Sequence, residues 1–241
     1  MLISPKYKFI FFKPMKVAGS SIEKSLFDYC SNLALCAGSR IDSLNTQWEY
    51  PRQNNGAPDS GIKFHAHTWP ELFNARIKDD GIFKNYKKIT AIRNPWDQVV
   101  SFFWYSNFPE KPAMHDSKRK HKYLFEKWLD TPRTFNSYIE DDLHHEDITP
   151  DMYISGINEK FIDNSITDYI RFESINKDYD LLASELMHDH QEIKPLARLK
   201  TNKRKIKKHY SYYYNKNIIK RIEKYYPKTL EKFNYLFKKK D

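Results

Sequence analysis

The sequence predicts an α/β fold in a single domain, with a central, mainly parallel sheet flanked by helices. Short apolar segments typical of buried strands alternate along the chain with segments of helical periodicity. The length of 241 residues fits one α/β domain better than two. Hydrophobic residues make up 40% of the chain and aromatic residues 16%, which is enough for a sizeable core.

Apolar runs predict four strands, at 7–13, 62–67, 86–93 and 168–173. Helical patterns follow at 20–30, 69–77, 95–105, about 121–130, about 134–142, 174 to about 188, 215–225 and 228–237. The helix at 95–105 opens with Pro95, whose fixed φ suits a first helical turn. The polar segments between these elements are expected to be loops. In such sheets, sites collect at the carboxyl ends of the strands.

The charge balance indicates the class of partner. A net charge of +10 favours a polyanion, whether nucleic acid, nucleotide or acidic polymer. Two cysteines, Cys30 and Cys36, are too few for a disulfide framework and are expected to be reduced. No secretory signal or membrane-spanning segment is visible, so the sequence predicts a soluble, cytoplasmic protein without stable membrane insertion.

The stretch FIFFKPMKVAGSSIEKSL, residues 9–26, leads from a strand into a helix and is typical of an anion-binding loop. Gly19 is expected to adopt a positive φ and to admit a ligand close to the backbone. Lys16, and with it Lys13, would add positive charge. The loop lacks the order of a Walker A motif, in which lysine follows glycine. An ordinary turn with solvated lysines remains the alternative. The N–H groups expected to converge on the anion are those of Val17, Ala18, Gly19, Ser20 and Ser21.

Two helix starts fit the capping-box pattern, in which a hydroxyl residue is followed three positions later by glutamate. The first pairs Ser20 with Glu23, and the second pairs Thr68 with Glu71. These pairs predict where the first two helices begin.

His65 and His67 alternate on a predicted strand and should therefore point the same way. His67 lies at the junction with the next helix, where side chains reach into a cleft. Neutral imidazole can accept a proton near pH 7, so a general base is one interpretation. A metal site is another, although no nearby cysteine or third histidine has ligand spacing. A structural histidine is the third.

Two further stretches carry charge suited to anions. Arg93 ends a predicted strand and Ser101 follows two turns into the next helix, so a guanidinium and a hydroxyl could bind one phosphate. A surface role for both residues is equally open. The segment 198–210 carries seven Lys or Arg residues in its first eleven positions and no acid. It is either a solvated loop or, with the tyrosines after it, a nucleic-acid surface.

These stretches together resemble the sulfotransferases that use 3′-phosphoadenosine 5′-phosphosulfate (PAPS). FFKPMKVAGSSI is similar to the family's 5′-phosphosulfate loop, F-x-H-x-P-K-T-A-G-T-S-I, and IRNPWDQVVSFFWY to its 3′-phosphate motif. The pair of histidines and LKTNKRK are most similar to heparan sulfate 2-O-sulfotransferases. The resemblance covers 7–30, 62–105 and 167–237, and implies a sulfotransferase fold related to that of phosphate-loop kinases across residues 1–241.

The resemblance also implies roles for individual residues. Lys16 and the loop amides hold the 5′-phosphosulfate, with PAPS elements in 7–30, 86–105 and 198–210. Arg93 and Ser101 hold the 3′-phosphate, and His67 is the base, with His65 orienting it. A closing loop is formed by Lys200, Thr201, Asn202, Lys203 and Arg204. No metal is required, and the product nucleotide is 3′,5′-adenosine bisphosphate (PAP).

The acceptor implied is a hydroxyl of a saccharide or polysaccharide, with the pocket shaped by segments 31–61 and 106–148. Within the second segment, His115, Lys118 and Arg119 are candidates for acceptor contact. The chain departs from the family pattern at Lys13, where many members have histidine, at Met15, where proline is common, and at Gln98, where arginine is frequent.

Two other functions remain as alternatives to the sulfotransferase. A phosphate-loop nucleotide kinase would need lysine after the glycine and a magnesium-binding carboxylate after a strand. A nucleic-acid-binding protein would use the basic segment and its tyrosines, but would give the ordered set of Lys16, Arg93 and Ser101 no purpose.

Overall fold

A computed structural model of the chain describes residues 1–30, 34–36, 66–76, 81, 83–106, 125–126, 157–190, 192–199 and 208–240. The chain divides into two compact units. The first comprises residues 1–92 and 160–199, and the second comprises residues 93–159 and 200–241.

The first unit contains a five-stranded sheet in the order β3-β1-β2-β4-β5. Its strands are β1 (Leu2–Ser4), β2 (Phe9–Phe12), β3 (Leu35–Cys36), β4 (Lys87–Ile92) and β5 (Asp168–Arg171). The pairs β2–β4 and β4–β5 are parallel, whereas β1 is antiparallel to both β2 and β3. Because helices connect the parallel strands, the predicted α/β class is confirmed.

The described helices follow the predicted pattern closely. They are α1 (Gly19–Phe27), α2 (Pro70–Arg76), α3 (Pro95–Ser106), α4 (Ile175–Leu186), α5 (Lys216–Tyr225) and α6 (Pro227–Phe233). Short 3₁₀ segments occur at Ile157–Phe161, Phe172–Ser174 and Tyr210–Tyr213. Among the described residues, no helix is long and apolar enough to cross a membrane.

The core of the first unit lies on both faces of the sheet, because alternate side chains of a strand point to opposite faces. Phe9 and Phe11 pack in one cluster with apolar residues of α1 and α4. Ile10 and Phe12 pack in a second cluster, which includes Phe73 of α2. Strand β2 is therefore buried on both sides, as its unbroken apolar run predicts.

The second unit is built around α3 and an aromatic cluster. Pro95 is the first residue of α3, as predicted, and the Asn94 side chain accepts a hydrogen bond from the Asp97 amide at 3.2 Å. Trp104 Nε1 donates to the Tyr213 hydroxyl at 2.9 Å, and the Tyr214 hydroxyl donates to the Trp96 carbonyl at 2.8 Å.

Strands β1 and β3 are too short to stand out in the sequence and were not predicted. Of the strand predicted at 62–67, residues 62–65 lie outside the described part of the chain, and residues 66–67 form a turn. The helices predicted at 121–130 and 134–142 also lie outside it, except for 125–126, which are helical.

Candidate functional site

The loop between β2 and α1 holds its backbone in an unusual conformation. Lys16 and Ala18 both have a φ of 60°, a region that residues with a side chain rarely occupy. Gly19, by contrast, does not have a positive φ, so the expectation for that residue is wrong. Backbone strain of this kind collects where the fold must hold a functional conformation.

Gly19 is required for a different reason, which is the close approach of Lys13. A Cβ atom at Gly19 would lie 2.5 Å from Lys13 Cγ. The Lys13 side chain is 5% exposed, and its ammonium forms an ion pair with Glu23 Oε2 at 2.5 Å. In this structure Lys13 is therefore directed into the interior of the first unit, toward α1, and Lys16 is the half-buried lysine of the loop.

Helix α1 begins without the predicted capping box. Ala18 is its N-cap residue, with no side-chain cap, and Ser20 lies inside the first turn. The amide of Ser21 donates to the Ala18 carbonyl at 2.9 Å, so this N–H is used within the helix. The amides of Gly19 and Ser20 precede this first intrahelical bond, at the positive end of the helix dipole. The second predicted capping box is also displaced, since α2 begins at Pro70.

The substitution Gly19→Ala should destabilise the protein by about 1–3 kcal/mol, because the new methyl group must displace a buried side chain fixed by an ion pair. Urea unfolding measures this effect. Ala18→Gly is the matched control at the neighbouring position: it relieves a positive φ, and its effect should stay within about 1 kcal/mol. Equal stability of Gly19→Ala and the wild type would contradict the close packing of Lys13 against Gly19.

His67 is attached to this same loop. It lies in the turn before α2, is half-buried, and has Nδ1 2.7 Å from the Lys13 carbonyl oxygen. Because a carbonyl oxygen only accepts hydrogen bonds, Nδ1 must carry the proton, which leaves the lone pair of the neutral ring on Nε2. His65 lies outside the described residues, as do the acceptor candidates His115, Lys118 and Arg119.

A row of hydroxyl groups along α1 and just beyond its C-terminal end holds a later segment of the chain. Ser21 Oγ accepts from the Leu199 amide at 3.1 Å, and Ser25 Oγ accepts from the Ala197 amide at 2.8 Å. The Tyr29 hydroxyl accepts from the Lys194 amide. The segment therefore runs antiparallel to α1 and reaches the N-terminal end of the helix at residue 199. The expected closing-loop residues Lys200, Thr201, Asn202, Lys203 and Arg204 come next and lie outside the described part of the chain.

In the second unit, Arg93 is paired with an acid that the sequence analysis did not single out. Its Nε and Nη2 atoms lie 2.9 Å and 2.6 Å from Asp97 Oδ2. Ser101 is half-buried and lies one helical turn beyond Asp97, on the same face of α3. Gln98, which stands where the family often has arginine, is 3% exposed and so is buried. The carboxylate therefore orients the guanidinium that was expected to bind the 3′-phosphate.

Three of the four tyrosines that follow the basic segment are not exposed for stacking on bases. Tyr210, Tyr213 and Tyr214 are buried in the aromatic cluster of the second unit, with at most 7% of each exposed. Their hydroxyl groups are used inside that unit, as when Tyr210 accepts from the Lys238 amide at 3.0 Å. These three tyrosines therefore cannot provide the stacking platform that the nucleic-acid interpretation requires.

Other reactive groups contribute less to the choice of chemistry. Burial raises the pKa of the Cys30 thiol to about 11, so it stays protonated near neutral pH and is a poor nucleophile. Among the residues that the structure describes, no three His, Cys, Asp or Glu side chains gather as metal ligands.

The sequence contains only weak signals for the hydrogen-bonding residues that the sequence analysis did not identify. Asp97 lies four residues after Arg93, and Ser21, Ser25 and Tyr29 recur at intervals of four, a spacing that places them on one helix face. Comparison with protein-family models, characterised proteins and solved structures finds no match for this chain.

Proposed function

We propose that the protein is a PAPS-dependent sulfotransferase that transfers a sulfuryl group to a hydroxyl of a saccharide acceptor. Its phosphosulfate loop would be the segment from Lys13 to Ser21, and its base would be His67. The proposal further assigns it the family's sulfotransferase fold.

The observation that carries the proposal is the hydrogen bond between His67 Nδ1 and the Lys13 carbonyl, at 2.7 Å. It attaches the expected base to the loop expected to bind the phosphosulfate, although the two are 54 residues apart in the chain. It also leaves Nε2 as the proton-accepting nitrogen of the neutral ring. A histidine with only a structural role would not need to meet this loop.

The reaction assigned to these groups is an in-line displacement. The acceptor oxygen forms a bond to sulfur while the bond from sulfur to the bridging oxygen of the nucleotide breaks. The hydroxyl proton passes to His67 Nε2, and negative charge develops on the departing phosphate. The proposal assigns stabilisation of that charge to Lys16 and to the amides of Gly19 and Ser20, which lie at the positive end of the helix dipole.

The proposal assigns the 3′-phosphate of the nucleotide to Arg93. PAPS carries a phosphate on the 3′ side of its ribose, and Arg93 offers a planar guanidinium for it. Asp97 engages two nitrogens of that guanidinium. We infer that this contact fixes the direction in which the remaining N–H groups point, with the Ser101 hydroxyl one turn farther along α3.

Arg93→Ala should weaken binding of PAP by about 10- to 150-fold, the range for hydrogen bonds to charged groups. Adenosine 5′-monophosphate lacks the 3′-phosphate, so its affinity should change little. Calorimetric titration of the wild type and of Arg93→Ala with each nucleotide measures the change in affinity for PAP and for adenosine 5′-monophosphate. An equal loss for both nucleotides would remove Arg93 from the 3′-phosphate site.

The acceptor proposed is a hydroxyl of a sulfated or carboxylated sugar polymer, since the net charge of +10 suits a polyanion. The segments expected to shape its pocket, 31–61 and 106–148, lie almost entirely outside the described residues. A nucleic-acid-binding role is less well supported, because three of the four tyrosines that would stack on bases are buried.

Incubation with ³⁵S-labelled PAPS and a panel of polysaccharides, including desulfated heparan sulfate, tests the activity. The expected result is label in a saccharide, together with release of PAP. Two results together would overturn the proposal in favour of nucleic-acid binding. The label would remain in PAPS with every acceptor, and the protein would bind random DNA with strong salt dependence.

A further inference from the structure

Lys13 contacts three separate parts of the site through three different groups. Its ammonium pairs with Glu23 of α1, its Cγ packs against Gly19, and its main-chain carbonyl accepts the hydrogen bond from His67. A single residue thus joins the helix, the phosphate loop and the expected base.

The ion pair that fixes Lys13 is buried on both sides. The Lys13 and Glu23 side chains are 5% and 0% exposed. The second carboxylate oxygen of Glu23 accepts from the Met1 amino nitrogen at 3.0 Å. Burial alone would raise the pKa of Glu23, but the Lys13 ammonium and the Met1 amino group outweigh it and hold the pKa well below its usual range. Glu23 is therefore ionised near neutral pH.

Stability alone does not account for such a pair. Apolar residues of similar volume often serve a buried site equally well, whereas loss of one partner leaves a lone buried charge and typically costs about 3–5 kcal/mol. The pair does, however, resist movement of Lys13 relative to α1. Any shift of the Lys13 backbone would lengthen the pair or push Cγ away from Gly19.

We propose that Glu23 is a positioning residue, which acts through Lys13 to hold His67 with its proton on Nδ1. The carbonyl that His67 meets belongs to the residue whose side chain Glu23 fixes. If the carbonyl moves away, Nδ1–H loses this acceptor and the tautomer with its proton on Nδ1 loses this stabilisation. A ring with its proton on Nε2 cannot accept one there. The tautomer is a property of the free protein. Its catalytic consequence rests on the proposed function.

The test measures the ring ¹⁵N chemical shifts of His67 in the protein without nucleotide, at a pH above the pKa of the ring. The wild type should show a protonated Nδ1 and an unprotonated Nε2. Glu23→Gln should populate both tautomers, whereas the control Glu192→Gln, at an exposed position, should leave the wild-type spectrum. His67 with its proton on Nε2 in the wild type, or an unchanged tautomer in Glu23→Gln, would overturn the proposal.

A second variant covers the case in which Glu23→Gln does not fold. Lys13→Met/Glu23→Gln removes both charges of the pair and leaves an acceptor for the Met1 amino group. Mixed tautomers are expected in this variant as well, and a retained Nδ1–H tautomer would contradict the role of the pair.

Rates of sulfuryl transfer distinguish a failure of the positioning role from a failure of the proposed function. In Glu23→Gln, sulfuryl transfer should fall about 10- to 100-fold, the scale of a misplaced catalytic group, with PAP affinity unchanged. If the tautomers behave as expected but no variant or wild type transfers sulfuryl groups, only the proposed reaction is wrong. If transfer occurs but His67 keeps its tautomer without the pair, only the positioning role is wrong.

Discussion

Replacing His67 by alanine is expected to lower sulfuryl transfer by about 10²–10⁴-fold, the usual contribution of a positioned general base. The acceptor hydroxyl has a pKa far above 7 and must lose its proton as it attacks sulfur. Without the imidazole, only water could take that proton. Affinity for PAP should stay near the wild-type value, because the amides of the loop and Lys16 remain. Initial rates with labelled PAPS and calorimetry with PAP check the two halves of this expectation.

His67→Asn separates the base from its structural contact. The asparagine amide N–H can replace Nδ1–H as the donor to the Lys13 carbonyl, but it cannot accept a proton near neutral pH. His67→Asn should therefore be as inactive as His67→Ala while matching the stability of the wild type. His188→Ala, at an exposed histidine of the same unit, serves as the control and should keep full activity. Activity retained by His67→Asn would move the base elsewhere, with His65 and Glu71 as the next residues to test.

Replacing Lys16 by alanine is the second large effect, with an expected loss of about 10²–10³-fold in the transfer rate. The physical reason is the charge that develops on the bridging oxygen of the departing nucleotide. A cation near that oxygen stabilises the transition state more than the bound substrate, so the rate should fall more than the affinity for PAPS. Single-turnover rates at saturating PAPS measure this directly.

Lys8→Ala is the matched control for the backbone at Lys16. Lys8 also has a positive φ, of 49°, and its exposed side chain belongs to the turn before β2 rather than to the loop. Both variants replace a lysine of positive φ by alanine, so any conformational penalty is shared. Lys8→Ala should transfer sulfuryl groups at the wild-type rate. Equal losses in the two variants would assign the effect to the backbone and not to the charge of Lys16.

The sequence predicts those parts of the fold that depend on local pattern. The apolar run of β2 and the first turn of α3 at Pro95 are found where they were expected. Strand β1 has only three residues and β3 only two, too few for a period to show. Both strands exist because pairing within the sheet stabilises them, which is a long-range effect.

The sequence indicates which residue types the candidate site would use, but it does not indicate the contacts that these residues make. Propensity assigns the positive φ of the loop to Gly19, whereas Lys16 and Ala18 adopt it and Gly19 instead packs closely against Lys13. Glu23 fits a capping box by spacing, and charged residues are seldom buried, so its pairing with Lys13 had no local signal. The contact between His67 and the Lys13 carbonyl depends on the folded chain, since spacing along the sequence carries no information about it.

The measurement that tests the central claim most directly is calorimetric titration of the intact protein with PAP. PAP carries both anionic ends that the loop at Lys16 and the Arg93 site are proposed to bind. The proposal predicts saturable binding of one PAP per chain, with adenosine 5′-monophosphate at least about tenfold weaker, because it cannot engage Arg93. Absence of saturable heat with PAP, or equal affinity for the two nucleotides, would contradict a site built for a nucleotide with two phosphorylated ends.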